Sequence, residues 1–407
     1  MTIQDSGPIN VVQTALLSWS NTTVYNKGSH IGLKDADSGD DVLYGNHISN
    51  WEDMNKAIYS MTLDYEYSNS KSRRLQIRVH GRSSNPNFLA EPLFSDNTDS
   101  CTPRDNTTFV FAYSNDFNSS VVQDVFSTFS KGVSPHYTTF ASVRFDDMIG
   151  EDFIYTNNWS DIVSYVQTHL PDPSLSFGNN KTGSDVLTRI EQFLGNTHVP
   201  VCGSNMLLLV KRMPYIVDVA PIGYKLQQHH SYFTMLVSTS PSGGPDSATL
   251  YYLASQTNGV CGFDKDEDMV LAVQIVPSFF NPYLIYAVNP SVSANGTIQL
   301  PSLIVPNEVP FGYWFTMTVQ DNGPLSVVQV AFWTWLNHTA VNPGFELGVN
   351  EYGHVGEWYG NHLGSANILS AVTYDMRLRY AYSDTGVRYL QIRVYGQITS
   401  PVDYWPP

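Results

Sequence analysis

Apolar residues along this chain fall mostly in short runs with a period of two. Met61, Leu63, Tyr65 and Tyr67 alternate with Thr62, Asp64 and Glu66. Leu75, Ile77 and Val79 alternate with Gln76, Arg78 and His80. Near the end, Met376, Leu378, Tyr380 and Tyr382 alternate with Arg377, Arg379 and Ala381, and Leu390, Ile392 and Val394 with Gln391, Arg393 and Tyr395. This alternation predicts half-buried strands, with the polar partners pointing outward. The turn-rich segments between them, at 68–72 and 383–387, predict antiparallel hairpins. Further strand-like runs occupy 206–219, 231–240, 248–256, 269–277 and 283–288, separated by Gly, Pro, Ser and Asn clusters. Two stretches carry a helical period instead. In 158–169, Ile162, Val163 and Val166 share a face. In 184–194, Ser184 is a candidate N-cap and Gly195 a stop.

The strongest internal signal is a repeat. TIQDSGPINVVQ at 2–13 returns as TVQDNGPLSVVQ at 318–329. Trp19 and Trp335, YGNH at 44–47 and 359–362, and RRLQIRVHG at 73–81 and RYLQIRVYG at 388–396 continue the match. This is a duplication. The fold expected from these elements is mainly β: an antiparallel eight-stranded jelly-roll sandwich, with a partial second jelly roll and a few short helices. The expected division is 1–90 as the C-terminal half of a jelly roll (repeat copy 1), 91–200 as a connecting arm with two short helices, and 201–407 as a complete jelly roll carrying copy 2 at 317–401. Half a sandwich exposes a sheet face and unpaired edges. Three completions are open: a missing half ahead of residue 1, which is favoured, a half from another chain, or a permuted domain completed by 91–200.

Composition narrows the function. Only 14% of residues are charged, against ~25% in ordinary domains, while 42% are hydrophobic and 13% aromatic. The chain is therefore not disordered. Its net charge of −16 argues against binding nucleic acid through bulk charge. Low charge fits surfaces covered by partners. No apolar run is long enough for a membrane span, and the N-terminus does not read as a signal peptide. Cys101, Cys202 and Cys261 are far apart and odd in number, which argues against a disulfide framework or zinc site and for a reducing compartment. Sequons at Asn21, Asn106, Asn118, Asn158, Asn180, Asn295 and Asn337 match chance in an Asn-, Ser- and Thr-rich chain.

Candidate chemistry is sparse. The acidic loop 35–41 lacks the spacing of a calcium loop and reads as solvated, and 264–268 reads as a turn between strands. His229 and His230 would point to opposite faces of a strand, so they cannot chelate one metal. His47 and His362 recur without a recurring nucleophile, and Asn and His in such a loop bond backbone. Asp146 and Asp147 are adjacent, but no nucleophile elbow, phosphate loop or zinc-protease motif occurs. Cys202 and Cys261 show no thiolate-activating context. No catalytic, cofactor-binding or metal residue is assigned, and no enzyme or cofactor is expected. Trp314, Trp333, Trp335, Trp358 and Trp405 crowd the end of the chain. Trp333 and Trp335 share one strand face and Phe332 lies on the other, implying cover on both sides.

The amphipathic helix 184–194, the Pro-broken strands at 206–219 and 273–288, the Pro-punctuated stretch 299–314 and the tandem repeat together resemble picornavirus-like capsid proteins of small non-enveloped RNA viruses. The resemblance covers 184–400, and 1–90 as a partial domain. It implies a structural capsid protein that self-assembles into an icosahedral shell. It also implies other capsid subunits and a host receptor as partners, weak or indirect contact with genome RNA, assembly in host cytoplasm and residence in the virion. The sequence departs from the family in starting mid-fold and in its acidic balance. A carbohydrate-binding, lectin-like sandwich is the alternative, since exposed aromatics suit sugar stacking. On the outward face of the matching strand copy 1 carries Asp64 and Glu66 and copy 2 carries Arg377 and Arg379, with Asp64 aligned to Arg379, a charge complement that could set register between copies. Reversing both arginines to glutamate is expected to weaken self-assembly in size-exclusion chromatography, and unchanged assembly removes the idea.

Overall fold

The computed structural model describes residues 107–133, 135–276, 282–306, 311–340 and 344–398, with Cys101 and Tyr404, and the backbone of five strands between residues 12 and 67. The chain divides into one unit of 1–97 with Pro407 and another of 98–406. In the first unit, β1 (Val12–Ser20) pairs with β2 (His30–Leu33) and β5 (Ser60–Tyr67), and β3 (Val42–Tyr44) pairs with β4 (His47–Ser49). The acidic loop 35–41 lies outside the described residues.

The second unit begins with a sheet that the alternation rule did not foresee. Its strands are β6 (Thr108–Ser114), β7 (Thr139–Phe145), β8 (Ile154–Thr156), β9 (Asn205–Val210), β10 (Tyr232–Ser238) and β11 (Val260–Asp264). They lie in the order β11-β10-β9-β6-β7-β8. All neighbours are parallel except β7 and β8. Counted in chain order this is the doubly wound arrangement 6-5-4-1-2-3, in which the chain reverses direction across the sheet between β6 and β9.

Six helices cover it: α1 (Ser119–Val133), α2 (Trp159–Thr168), α3 (Val186–Leu194), α4 (Ala220–Gln228), α5 (Ala248–Ser255) and α6 (Met269–Gln274). One core holds α3, α4 and α5 against one face, through Ile190, Leu226 and Leu250 among others. The other holds α1, α2 and α6, through Phe129, Val166 and Val273. A parallel sheet covered on both faces needs strands apolar on both sides, hence the unbroken runs NMLLLV and YFTMLVS.

These findings correct the expected fold class. Residues 201–407 are not one antiparallel eight-stranded jelly roll. Residues 248–256 and 269–277, expected as strands, contain α5 and α6. In α5 Thr249, Leu250, Tyr251, Leu253 and Ala254 are all buried, so no polar face marks its helical period. The strand expected at 206–219 stops at Val210. Residues 91–200, expected as an arm, supply α1, α2, α3 and three strands of the sheet. Within that stretch both expected helices form. Asn158 caps α2 with its side chain, and at α3 Asp185 takes the N-cap position while Ser184 Oγ accepts from Val186 N.

An antiparallel sandwich does exist, but it occupies only 283–396. One sheet runs β12 (Tyr283–Val288), β23 (Ile392–Gly396), β15 (Phe311–Thr318), β20 (His362–Leu369), β19 (Glu357–Tyr359). The other runs β14 (Asn295–Ile304), β21 (Thr373–Tyr382), β16 (Val328–Leu336), β17 (Gly344–Asn350), β18 (Gly353–Val355). A short pair, β13 (Ser291–Val292) and β22 (Arg388–Tyr389), stands beside them. Trp333 and Trp335 are fully buried between the sheets, with Phe315 stacked on Trp335 at 3.9 Å between ring centroids. Phe332 on the opposite face is half-buried.

Cys101 and Cys202 form a disulfide, which corrects the expectation of unpaired thiols. They are distant in sequence, yet each leads into one of two neighbouring parallel strands, β6 and β9, so folding brings them together. Cys261 is free and buried.

The sandwich also completes the six-stranded sheet. Strand β11 is an edge, and its outer backbone groups meet side chains rather than a strand. Gln391 Oε1 accepts from Cys261 N at 2.8 Å. Asn361 Oδ1 accepts from Phe263 N at 2.7 Å and its Nδ2 donates to Cys261 O at 3.2 Å. Gly360 (φ +46°) allows the close approach, since a Cβ there would lie 1.8 Å from Phe263 O. Arg393 donates to the carbonyls of Asn258, Thr257 and Gly259 just past the end of α5. The outward positions just before and within β23 are therefore buried: Gln391 and Arg393 are fully enclosed. Gln391→Leu orphans the Cys261 N–H and is expected to lower unfolding stability by about 1–3 kcal/mol, read from urea midpoints. An unchanged midpoint would show that the edge needs no cover.

Candidate functional site

In a doubly wound sheet, the loops after two strands that diverge at the reversal point leave a crevice at the carboxyl ends of the strands. Here those strands are β6 and β9. After β6 the chain runs Ser114-Asn115-Asp116-Phe117 into α1, and after β9 it runs Lys211-Arg212-Met213. A crevice of 370 Å³ opens at this point, lined by Asn115, Asp116, Phe117, Ser176, Arg212 and Ser242 among others.

Its centre is an ion pair. Arg212 Nε donates to Asp116 Oδ2 at 2.7 Å, and the two side chains are only 3% and 4% exposed. Nη1 donates to the carbonyls of Asn179 and Thr182 at 2.9 and 2.8 Å. Ser242 Oγ donates to the same Asp116 oxygen. The guanidinium lies 5.3 Å from the Phe177 ring centroid. The Pro241–Gly244 loop closes over it: a Cβ on Gly243 would meet Arg212 Nη1 at 2.4 Å, and one on Gly244 (φ +81°) would meet Met213 O at 1.7 Å. Among the described residues, Nη2 of Arg212 has no hydrogen-bond partner. Lys211 turns aside, bonding Ser238, Ser240 and Asp266.

Beside the crevice, Asp146 and Asp185 hold one another's loops. Asp146 N donates to Asp185 Oδ1 at 2.9 Å and Asp185 N to Asp146 Oδ1 at 3.1 Å, while Ser114 Oγ donates to Asp146 Oδ2 at 2.6 Å. Asp146 adopts φ 62°, a conformation that aspartate tolerates better than most residues. Burial raises its carboxyl to about 8. Asp147 is used separately, accepting from Ile149 N and Gly150 N. The adjacent aspartates are thus loop braces. Around them the rim is apolar and exposed, with Met148 and Ile149 after β7 and Tyr215, Ile216 and Val217 after β9.

Other residues weighed from sequence lie elsewhere. His229 is the C-cap of α4 and His230 follows at φ 50°, so the two sit at a helix end rather than on a strand. Asp266–Asp268 form a 3-10 turn between β11 and α6. His362 is buried with its Nδ1 3.7 Å from Asp264 Oδ2, at the junction of β11 with the sandwich. Burial pushes Asp264 up to about 8 and His362 down to about 4, so both are neutral near pH 7. Among the described residues no three His, Cys, Asp or Glu side chains converge as metal ligands, and a cation in the crevice would meet the Arg212 charge. Sequence reasoning passed over Asp116 and Arg212. The available signal was a charged pair, Lys211-Arg212, directly after a run too apolar to be half-exposed.

A family model described as a domain of unknown function (DUF7154) matches residues 1–82, in repeat copy 1, and 288–397, which holds most of copy 2 and the residues just ahead of it. No curated protein matches in sequence. Among solved structures, a von Willebrand factor type A protein from Catenulispora acidiphila is 10% identical with a TM-score of 0.31, over 74% of this chain and 59% of that one. This chain thus spans less than two thirds of that protein. The SpRpn10 VWA domain is 12% identical with a TM-score of 0.28, over 40% of this chain and 93% of that one. At such scores the fold is argued from this chain's own strand order.

The buried carboxyls make stability fall with pH. A carboxyl raised to about 8 by burial contributes stability that is complete in the ordinary carboxylate range and is lost as pH rises through the raised value. His362, lowered to about 4, contributes the reverse, lost as pH falls below the ordinary histidine range. The two trends oppose below about pH 6.5. Above it the aspartates act alone, so thermal midpoints are expected to drop between about pH 6.5 and pH 8. Asp146→Asn with Asp264→Asn should flatten that drop, and a slope unchanged in the double variant refutes the assignment.

Proposed function

We propose that residues 98–406 form a non-catalytic binding module that recognises a carboxylate-bearing segment of a protein partner at the loop end of the six-stranded sheet. The observation that carries this is Arg212, a buried guanidinium in an open crevice with one nitrogen uncommitted. Asp116, Asn179 and Thr182 hold the group rigid, and rigid guanidinium donors suit planar anions. The N-terminus of α1, two residues beyond the crevice-lining Phe117, adds partial positive charge. The exposed Met148, Ile149, Tyr215, Ile216 and Val217 supply apolar contact area around a polar centre, as interfaces do.

The shell-forming reading drew on a jelly roll over residues 201–407 and has lost that support. The lectin reading drew on exposed tryptophans and tyrosines; of these Trp333 and Trp335 are core, and Trp314 and Trp358 are partly buried with their indole N–H groups bonded to Ile275 O and Gly360 O. The Cys101–Cys202 disulfide favours an oxidising, extracellular setting. Exposed sequon residues Asn118, Asn158, Asn180 and Asn295 are compatible with it. No helix among the described residues is long and apolar enough to cross a membrane.

Calorimetric titration with short peptides carrying one aspartate between apolar residues, against the same peptides with asparagine, tests the reading. Aspartate peptides should bind about ten-fold or more tighter. Ile216→Asp, at an exposed position that leaves the core intact, should abolish binding. Arg212→Gln should do the same but also cost about 3–5 kcal/mol of stability, because Asp116 is left buried and unpaired. Equal affinity for both peptide sets, or binding indifferent to Ile216→Asp, overturns the proposal.

A further inference from the structure

One wall of the crevice is the loop 177–182, and its polar groups are largely spent on holding it rigid. Asn179 Oδ1 accepts from Lys181 N, Thr182 N and Thr182 Oγ1, and Asn179 Nδ2 donates to Phe177 O. The carbonyls of Asn179 and Thr182 hold Arg212. The carbonyl of Asn180 accepts from Gly244 N at 3.0 Å, and that of Lys181 from the Tyr215 hydroxyl at 2.9 Å. The Asn180 side chain is the exception. It is exposed, and among the described residues its carboxamide has no hydrogen-bond partner. Asn180-Lys181-Thr182 is also a sequon.

The surroundings set this sequon apart. Phe177, three residues ahead of Asn180, is half-buried, and Gly178 at φ +65° turns the loop between the ring and the carboxamide. The C–H face of a sugar ring packs on an aromatic ring of this kind. The other sequons in the described residues lack the combination. Asn118 and Asn158 use Oδ1 to cap α1 and α2. Tyr155, three residues ahead of Asn158, is already stacked on Phe153 and His198. Asn337 spends Nδ2 on Thr373 O and Oδ1 on Thr339 N. Asn295 has Val292 where Asn180 has Phe177.

We propose that Asn180 is an N-glycosylation site whose first sugar packs on Phe177, and that the glycan restricts the crevice to extended segments of a partner. The Cys101–Cys202 disulfide fits passage through the oxidising compartment where the donor is found, an oligosaccharide carried on a polyprenyl diphosphate. Asn180 Nδ2 bonds to the anomeric carbon of that oligosaccharide. The bond from this carbon to the diphosphate oxygen breaks, the diphosphate leaves with the electron pair, and Nδ2 gives up one proton. The glycan then stands on the crevice wall that holds Arg212. A folded surface laid over the crevice collides with it, while a single extended chain passes beside it. The modification is independent of what enters the crevice; the restriction on partner shape rests on the carboxylate reading.

The full chain, secreted from yeast behind an added signal peptide, tests both parts. Mass spectrometry of its tryptic peptides should show Asn180 occupied. Asn180→Gln should lower the thermal midpoint by about 2 °C or more, whereas endoglycosidase trimming to the first sugar should leave the midpoint in place. Phe177→Ala should erase the difference between the glycosylated protein and Asn180→Gln, a comparison that cancels the loss of the Phe177 contact with Arg212. An aspartate peptide grafted into a loop of a folded carrier should bind about ten-fold or more tighter after trimming, and the free peptide equally before and after. A bare Asn180, a midpoint indifferent to Asn180→Gln, or a difference that survives Phe177→Ala refutes the site. Equal carrier affinity before and after trimming refutes the restriction on shape. Failure of both peptide forms to bind removes the carboxylate reading and the restriction with it, while occupancy and midpoints still decide Asn180.

Discussion

A parallel sheet cannot end without leaving a row of backbone donors and acceptors unmatched. In this protein that constraint falls on β11, and its solution ties the two halves of residues 98–406 together. The sandwich does not lay a strand beside β11. It offers carboxamides, from Asn361 and Gln391, in the positions a neighbouring strand's peptide groups would take. Arg393 satisfies the adjacent carbonyls where α5 ends. A fully enclosed guanidinium with no carboxylate against it among the described residues is costly in general, and its position is explained by the concentration of carbonyl dipoles around it. Burial lowers its pKa only to about 10, so it stays charged at neutral pH.

How far the fold could be read from sequence follows from the same geometry. The repeat and the sandwich strands were legible, because their alternation reflects one buried face and one outward face. The outward face was then assumed to be wet. Gln391 and Arg393 look like surface residues by alternation and are buried by a second domain. The α/β domain was misread for the complementary reason. Its strands are apolar on both sides, and α5 is apolar nearly all round, so neither carries a period. Of the helices with one wet face, α2 and α3 were placed correctly, while α1, with Val122, Val125, Phe126 and Phe129 on its buried side, was missed. The disulfide was illegible because sequence distance carries no information about which strands become neighbours.

The crevice shows a similar split. Its polar residues are spread over loops that follow β6, β9 and β10, and no local spacing connects Asp116, Arg212 and Ser242. Only the strand order brings them together. Asp146, by contrast, was visible as part of a carboxylate pair, but its surroundings assign it to bracing the loop against Asp185. The site is built so that most charge is spent internally, leaving a single guanidinium nitrogen and an apolar rim as the recognisable surface.

The position of the edge has a kinetic side. During synthesis β11 is complete when residue 264 emerges, but its cover arrives only with residues 360–393. At translation speeds of ~5–20 residues per second, the nascent sheet waits roughly 6–25 s with an open, sticky margin. Through that interval the growing chain depends on chaperones or on chance to avoid pairing with a neighbour on the same message.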